Sequence, residues 1–513
     1  MKDEVIVVGS GPSGTHCALA LLRRGISVLM IDPGLMLEPE KQNYLAGLLP
    51  TDVNNQILLK KLYRSPKTNK KIPKLSFGSD FAYRSADTSL TIHEKKVSCL
   101  FSNAQAGLSN VWGATLLPYH ANDINDWPFS ENFLANYYPR IIENVSLLAE
   151  EDALAKIFPL FSSQFFRPTV SQQAQYILAT TTQRSIELEN HHIWVGKSRL
   201  AMKASSCIHC GQCLKGCPLD LIYSSKQTLQ LLHTHKNFRY ESGWFVNKIK
   251  ENKQAVHLDC YNTYLHEKRS FHGSKVFLAT GPLMTAKLIL NSFPSFNNSL
   301  ILKDSQHFII PALLKTRVKN TTNERVFTLS QLFLEIMNPM ISNYSSHLQI
   351  YTYSDLYEKK LKFLKAFPPI LKNILLDRLI VIQGYLHSKD SSSIHVKYHS
   401  EKNHLNLSSI AQERTLPIIK KILHLLRMES EKLGFNVLPY LTKISKPGVG
   451  NHLGGSFPMS NSAKPGTTDL NGLLSGTERV HVVDSSVFPS LPAQSPTLSI
   501  MANAYRIGTE CSI

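Results

Sequence analysis

The stretch Glu4-Val5-Ile6-Val7-Val8 is a short apolar run that breaks directly into Gly9-Ser10-Gly11-Pro12-Ser13-Gly14. The run predicts a strand, the glycines a tight turn and the residues up to Arg24 a helix, after which Ile26 to Asp32 reads as a second strand ending in an acid. Strand, turn, helix, strand and acid in this order make a βαβ unit suited to a dinucleotide. Gly9 permits the tight turn, Gly11 lets the backbone approach a pyrophosphate, and Gly14 allows close helix packing, with the helix dipole facing the phosphates. Asp32 can hold both hydroxyls of an adenosine ribose and would repel a 2′-phosphate, which points to FAD or NAD rather than NADP.

A chain of 513 residues is too long for one ordinary domain. With 43% hydrophobic and only 18% charged residues it can bury substantial cores, which excludes a disordered or collagen-like chain. Strand-like runs return at Gly243 to Asn247 and Ser274 to Gly281, the second followed by a helix near Met284, and both are expected to rejoin the first sheet. Between 305 and 445 the texture changes to alternating strands at Ser346 to Tyr353, Leu379 to His387 and Ser393 to Tyr398, with helices near 354–376 and 412–434. The end returns to Gly- and Pro-rich turns around Val480 to Asp484 and a helix from Leu498 to Ile507. The expected fold is α/β: a Rossmann-type domain over 1–304, an antiparallel sheet with helices over 305–445, and a return to the first domain over 446–513.

Four stretches resemble the glucose–methanol–choline (GMC) family of FAD-dependent oxidoreductases. They are the N-terminal fingerprint, Gly107-Leu108-Ser109-Asn110-Val111-Trp112-Gly113 followed by Asp126-Trp127-Pro128, the turn Ala279-Thr280-Gly281-Pro282, and the block from Asn451 to Ile507. The resemblance implies an FAD across the first sheet, a substrate domain over 320–440, and oxidation of an alcohol carbon by hydride transfer to the flavin. It makes His452 the active-site base, a role imidazole suits because its ordinary pKa of about 6.5 lets it accept a hydroxyl proton near neutrality. The alternative is a histidine that merely caps the Gly454-Gly455 turn. The family's second His or Asn, just before a Pro, falls here on Ser495, whose hydroxyl can orient a substrate oxygen but is no strong base. Carried over by position, Asp484 and Ser485 lie along the ribityl and pyrophosphate portion, Ser109 and Asn110 near the ring, and Val246 against adenine. Trp112 flanks the flavin or substrate, or simply packs in an aromatic core.

Cys207-x2-Cys210-x2-Cys213-x3-Cys217-Pro218 repeats the bacterial ferredoxin spacing, so an iron–sulfur cluster is expected in the loop near 205–220, with zinc or free thiols as alternatives. No second run supplies a partner cluster, which leaves [3Fe–4S] on three thiols or [4Fe–4S] closed by Cys217 or by Cys99 or Cys260. A cluster would pass electrons singly to a carrier protein or quinone and make a dehydrogenase; a structural loop would fit an oxidase or a redox-inactive relative.

Lys plus Arg number 56 against 38 Asp plus Glu, an excess of +18 that favours an acidic partner. Tyr357 to Leu376 interleaves five lysines with apolar residues around Pro368-Pro369, a basic amphipathic pattern that fits an anionic bilayer surface or a surface helix packed on the substrate domain. Lys67 to Lys71 is read as a solvated loop. No run of 18 apolar residues and no signal-like segment occurs, so the expected location is cytoplasmic, peripheral on the inner face of a membrane where lipid is bound. No nucleic-acid motif accompanies the charge, and the expected donor is a hydroxyl of a sugar, sterol or lipid-linked compound.

Overall fold

A computed structural model describes residues 4–48, 56–64, 74–129, 133–262, 264–296, 299–356 and 367–513. The elements that frame the site are, in chain order, β1 (Val5–Val8), α1 (Pro12–Arg23), β2 (Val28–Asp32), β3 (Ile193–Lys197), β4 (Phe238–Ser242), β5 (Val276–Leu278), α2 (Pro282–Ser292), β6 (His307–Leu314) and β7 (Leu332–Ile336). They continue with β8 (Ser346–Tyr351), α3 (Pro369–Leu376), β9 (Leu379–Leu386), β10 (Phe435–Val437), β11 (Lys443–Ile444), β12 (Val480–Val482) and α4 (Thr497–Glu510).

The first sheet is parallel throughout, in the order β12-β5-β1-β2-β4. Every residue of β1, β2, β5 and β12 is buried, as the continuous Val/Ile/Leu runs demand of strands covered on both faces. α1 starts with Pro12 at its first turn and an extended Gly11 with no side-chain cap, so the first amide groups of the helix remain available to an anion. α4 lies against α1 so closely that a Cβ at Gly508 would stand 2.7 Å from the Cys17 carbonyl oxygen and 2.9 Å from Ala20 Cβ. The chain order reverses around β1, and the cleft at the carboxyl ends of β1 and β5 is the ligand position of such sheets.

The second sheet is antiparallel, in the order β10-β6-β9-β8-β7-β3, with β11 also paired to β6. Its register sets His307 opposite Tyr385, Tyr385 opposite His347, and His347 opposite Glu335, a single polar row across four strands. Because side chains alternate, Gln349 and Tyr351 share that face with His347, whereas Leu348 and Ile350 point the other way into the core. A further sheet joins Thr91–Lys95, His404–Ile410, Ser393–His399, Ser299–Asp304 and Leu453–Gly454. β3 comes from within the segment assigned above to the first domain.

The predicted α/β architecture holds, with local corrections, among them that Ser393 to Tyr398 pairs in the further sheet and not beside Ser346–Tyr351 or Leu379–Leu386. Gly243 to Asn247 does not rejoin the parallel sheet: Phe238–Ser242 takes that place beside β2, and Gly243, at φ +87°, turns the chain into a separate three-stranded antiparallel sheet led by Trp244–Glu251. The helix expected near 412–434 is two helices, Thr415–Met428 and Ser430–Leu433. Of the basic segment 357–376, α3 is helical and 357–366 lies outside the described residues, as does Lys67 to Lys71.

Candidate active site

One cavity of about 590 Å³ runs from the glycine loop of β1 to the polar face of the second sheet. At its first end Gly9, Ser10, Gly11 and Asp32 form the wall. Gly9 has φ +102°, and a Cβ at Gly14 would lie 1.9 Å from the Gly9 carbonyl oxygen, so only glycine lets the loop fold back on α1. A Cβ at Gly11 would meet nothing within 4 Å. Gly11 itself lines the cavity. Asp32 accepts from the Ser10 and Gly34 amides, each at 2.5 Å, and burial raises its pKa to about 6. It therefore also braces the loop that the ribose reading asked it to face.

Along the middle, Ser109, Val246, Asp484 and Ser485 line the cavity as expected. Asp484 accepts from the Gly281 amide at 3.0 Å and the Thr285 hydroxyl at 2.6 Å, an acid at the N-terminus of α2 that knots the closing block to the Ala279-Thr280-Gly281 turn. Ser109 donates to the Ala106 carbonyl at 2.6 Å. Asn110 does not line the cavity; its amide donates to the Gln105 and Gly107 carbonyls at 2.8 and 2.7 Å and staples the turn that presents Ser109. Trp112 does reach the wall, and its indole N–H donates to the Tyr223 carbonyl at 2.7 Å.

At the far end stands His452, 8% exposed, its ring stacked on Tyr385 with centroids 4.5 Å apart and planes at 20°. Burial first, then the neighbouring His347 and His307, hold its pKa down at about 3, so the imidazole is neutral at neutral pH. Its Nδ1 is buried with no hydrogen-bond partner among the described residues. Ser495 also lines the cavity, with its hydroxyl 3.5 Å from that of Thr497.

The sequence reading missed the wall opposite, where His307, Gln349, Tyr351, Gln383 and Tyr385 face the cavity. Behind them Glu335 and His347 are both fully buried, with His347 Nδ1 at 2.5 Å from Glu335 Oε1. The Gln349 amide nitrogen, 3.1 Å from His347 Nε2, can only donate. Tyr351 donates to Gln349 Oε1 at 3.0 Å, and Gln494 donates to Glu335 Oε2 at 3.1 Å. Glu335 thus ties the loop that carries Ser495 to the sheet that carries the polar row. The signal was present: in His347-Leu348-Gln349-Ile350-Tyr351 the polar residues fall at every second position.

Among the described residues no group of three His, Cys, Asp or Glu side chains is arranged to hold a metal ion, and Cys207, Cys210, Cys213 and Cys217 are free thiols. The Cys213 sulfur accepts from the Thr328 amide and that of Cys217 from the Leu221 amide, each at 3.5 Å, and burial raises all four pKa values, that of Cys217 to about 12. The iron–sulfur expectation thus finds no support among the described residues. Leu214 nevertheless lines the cavity beside Lys74, whose ammonium donates to the Trp112 carbonyl at 2.9 Å, so the loop closes one wall of the site.

The residues fit FAD: a glycine cradle with open space at Gly11, helix amides free of a cap, and an unpartnered imidazole nitrogen share one cavity. Residues 387–504 match the family model of the GMC oxidoreductases. No curated protein sequence matches the chain. Among solved structures the chain is similar to pyridoxine 4-oxidase from Mesorbium loti, at 12% identity and a TM-score of 0.62, over 99% of this chain and 98% of that one. It is also similar to an FAD-dependent oxidoreductase from Chaetomium thermophilum, at 14% identity and a TM-score of 0.61, over the same shares of the two chains. The segment holding His452 and Ser495 therefore matches the GMC oxidoreductase family model, in a chain that shares its fold along its length with these two oxidoreductases, and the resemblance read from the sequence is borne out over that segment.

Proposed function

We propose that the chain is an FAD-dependent oxidoreductase that oxidises the hydroxyl-bearing carbon of a CH–OH donor to a carbonyl. The observation that carries this reading is a buried, neutral His452 with an unpartnered nitrogen, in the same cavity as the glycine loop. Gly9, Ser10, Gly11, Asp32, Ser109, Val246, Asp484 and Ser485 would hold the cofactor. Bound there, FAD supplies the two-electron acceptor of the reaction.

His452 takes the hydroxyl proton, and stacking on Tyr385 fixes the plane in which its ring meets the donor. Ser495 orients the donor oxygen. His307, Gln349, Tyr351 and Gln383 offer several donors and acceptors above an apolar lining, which suits a sugar, a sterol or a lipid-linked alcohol. Electrons then leave to a carrier protein or a quinone. A second reading takes the 205–220 loop as a structural wall, since its Leu214 lines the cavity, with oxygen as the final acceptor.

The test is anaerobic mixing of the FAD-loaded protein with a panel of alcohols while the blue flavin band is followed, alongside iron and sulfide analysis. Bleaching by an alcohol supports the enzyme. Protein that takes up no FAD overturns the cofactor assignment, and flavin that no alcohol bleaches leaves a redox-inactive relative. Stoichiometric iron and sulfide would return the cysteines to a relay.

A further inference from the structure

One short stretch borders the opening of the cavity. After β10 the chain runs Pro439-Tyr440-Leu441-Thr442-Lys443-Ile444-Ser445-Lys446 and reaches Val449. Tyr440 is 101% exposed, Leu441 63%, Ile444 39% and Val449 37%, and Lys443 and Lys446 are exposed between them. Lys443, Ser445 and Val449 also line the cavity, so this stretch is its rim.

The rim is not a loose loop. β11 pairs with β6 through Lys443 with Ile309 and Ile444 with Phe308, and the Ser445 amide donates to the His307 carbonyl at 3.0 Å. Four large apolar side chains are thus held in water on a fixed edge, and two lysines stand among them. A monomer in bulk water gains nothing from this arrangement. An aromatic ring, aliphatic side chains and lysines side by side are what a bilayer interface binds. α3 repeats the pattern, with Ile370 74% and Leu371 51% exposed, and the +18 charge of the chain provides long-range attraction to an anionic surface.

We infer that this rim docks on an anionic lipid bilayer, Tyr440, Leu441, Ile444 and Val449 entering the headgroup boundary and Lys443 and Lys446 meeting anionic headgroups, so that the cavity opens onto the membrane. Resting on the function proposed above, this narrows the donor to a hydroxyl compound dissolved in the lipid.

Docking itself is tested without turnover, so its failure is separate from failure of the enzymatic reading. The FAD-loaded protein is sedimented with vesicles of phosphatidylglycerol and phosphatidylcholine, and with phosphatidylcholine alone. Binding is expected to the anionic vesicles, to weaken with salt, and to fall about tenfold in Tyr440→Ser/Leu441→Ser, two residues outside the cavity lining, with flavin content unchanged. In Tyr440→Trp, emission of the new indole should shift to the blue on anionic vesicles and not on dextran sulfate. Equal binding by the double variant, an unshifted indole on bound protein, or a lipid-free dimer that the double variant dissolves would each overturn the inference, the last by assigning the rim to a second copy of the chain.

Discussion

The two ends of the cavity are built from different materials. At the nucleotide end the backbone makes the surface: Gly9 and Gly11, the uncapped amides of α1 and the carboxylate of Asp32 bonded to main-chain N–H groups. At the imidazole end side chains make it, drawn from strands that are distant in sequence and brought together only by register, as His307, Tyr385, His347 and Glu335 are. A backbone surface demands particular residues at fixed offsets, because only glycine tolerates the close approaches. A side-chain surface demands only a fold that places one polar face inward. The first is rigid toward change of residue at its glycines, the second toward loss of any hydrogen-bonded partner.

Substitutions at the two ends separate these dependences. Gly14→Ala has the largest expected effect: its Cβ would sit 1.9 Å from a carbonyl oxygen, so α1 must shift away from the loop, and the purified variant should contain no flavin by absorbance. At the other end His452→Ala should keep its FAD and lose about two to four powers of ten in anaerobic flavin reduction, the scale of a missing general base. Full-rate reduction would remove His452 from the chemistry. Glu335→Leu leaves His347 and Gln494 without their buried acceptor and should lower unfolding free energy by about 3–5 kcal/mol in denaturant titration.

The titrations of the two ends have opposite signs. Burial depresses His452 to about 3 and His307 to about 4, so below the ordinary histidine value of about 6.5 the unfolded chain takes up protons that the folded one refuses. That loss of stability grows as the pH falls from about 6.5 and is complete below about 3. Asp32, raised to about 6, works the other way: its contribution is whole below the ordinary carboxylate value of about 3.9 and is lost as the pH rises through 6. Midpoints of thermal unfolding measured against pH should therefore fall on acidification, and less steeply in His307→Gln. The smallest expected effect is that of Cys210→Ser with Cys213→Ser, which should leave reduction of the flavin by donor within about twofold, since neither thiol lines the cavity. A large loss would make the thiols part of the electron path.

The same contrast explains what could be read before the fold was known. Gly9, Gly11, Gly14 and Asp32 were legible because backbone chemistry fixes their spacing, and the block around His452 was legible because it is contiguous. Ser495 was found by position, and the structure brings it to the cavity. Asn110 was misplaced because two adjacent residues of one turn point in different directions, which spacing alone does not decide. Gln349, Gln383 and Tyr385 were hidden because nothing in one strand announces its neighbour; alternation gave the strands, and strand order gave the site. The cysteine run shows the converse, a spacing that sequence makes conspicuous and that the fold uses to close a wall.

The embrace of α1 by α4, and the edge place of β12 beside β5, also govern when this protein can become a holoenzyme. The glycine loop precedes in the chain, and so is translated before, the strand and helix that complete its sheet and cover its helix, which follow the whole second sheet. The parallel sheet is therefore complete only once Val480–Val482 has been made, and a nascent chain stalled before Val480 leaves the apolar edge of β5 uncovered to chaperones and proteases.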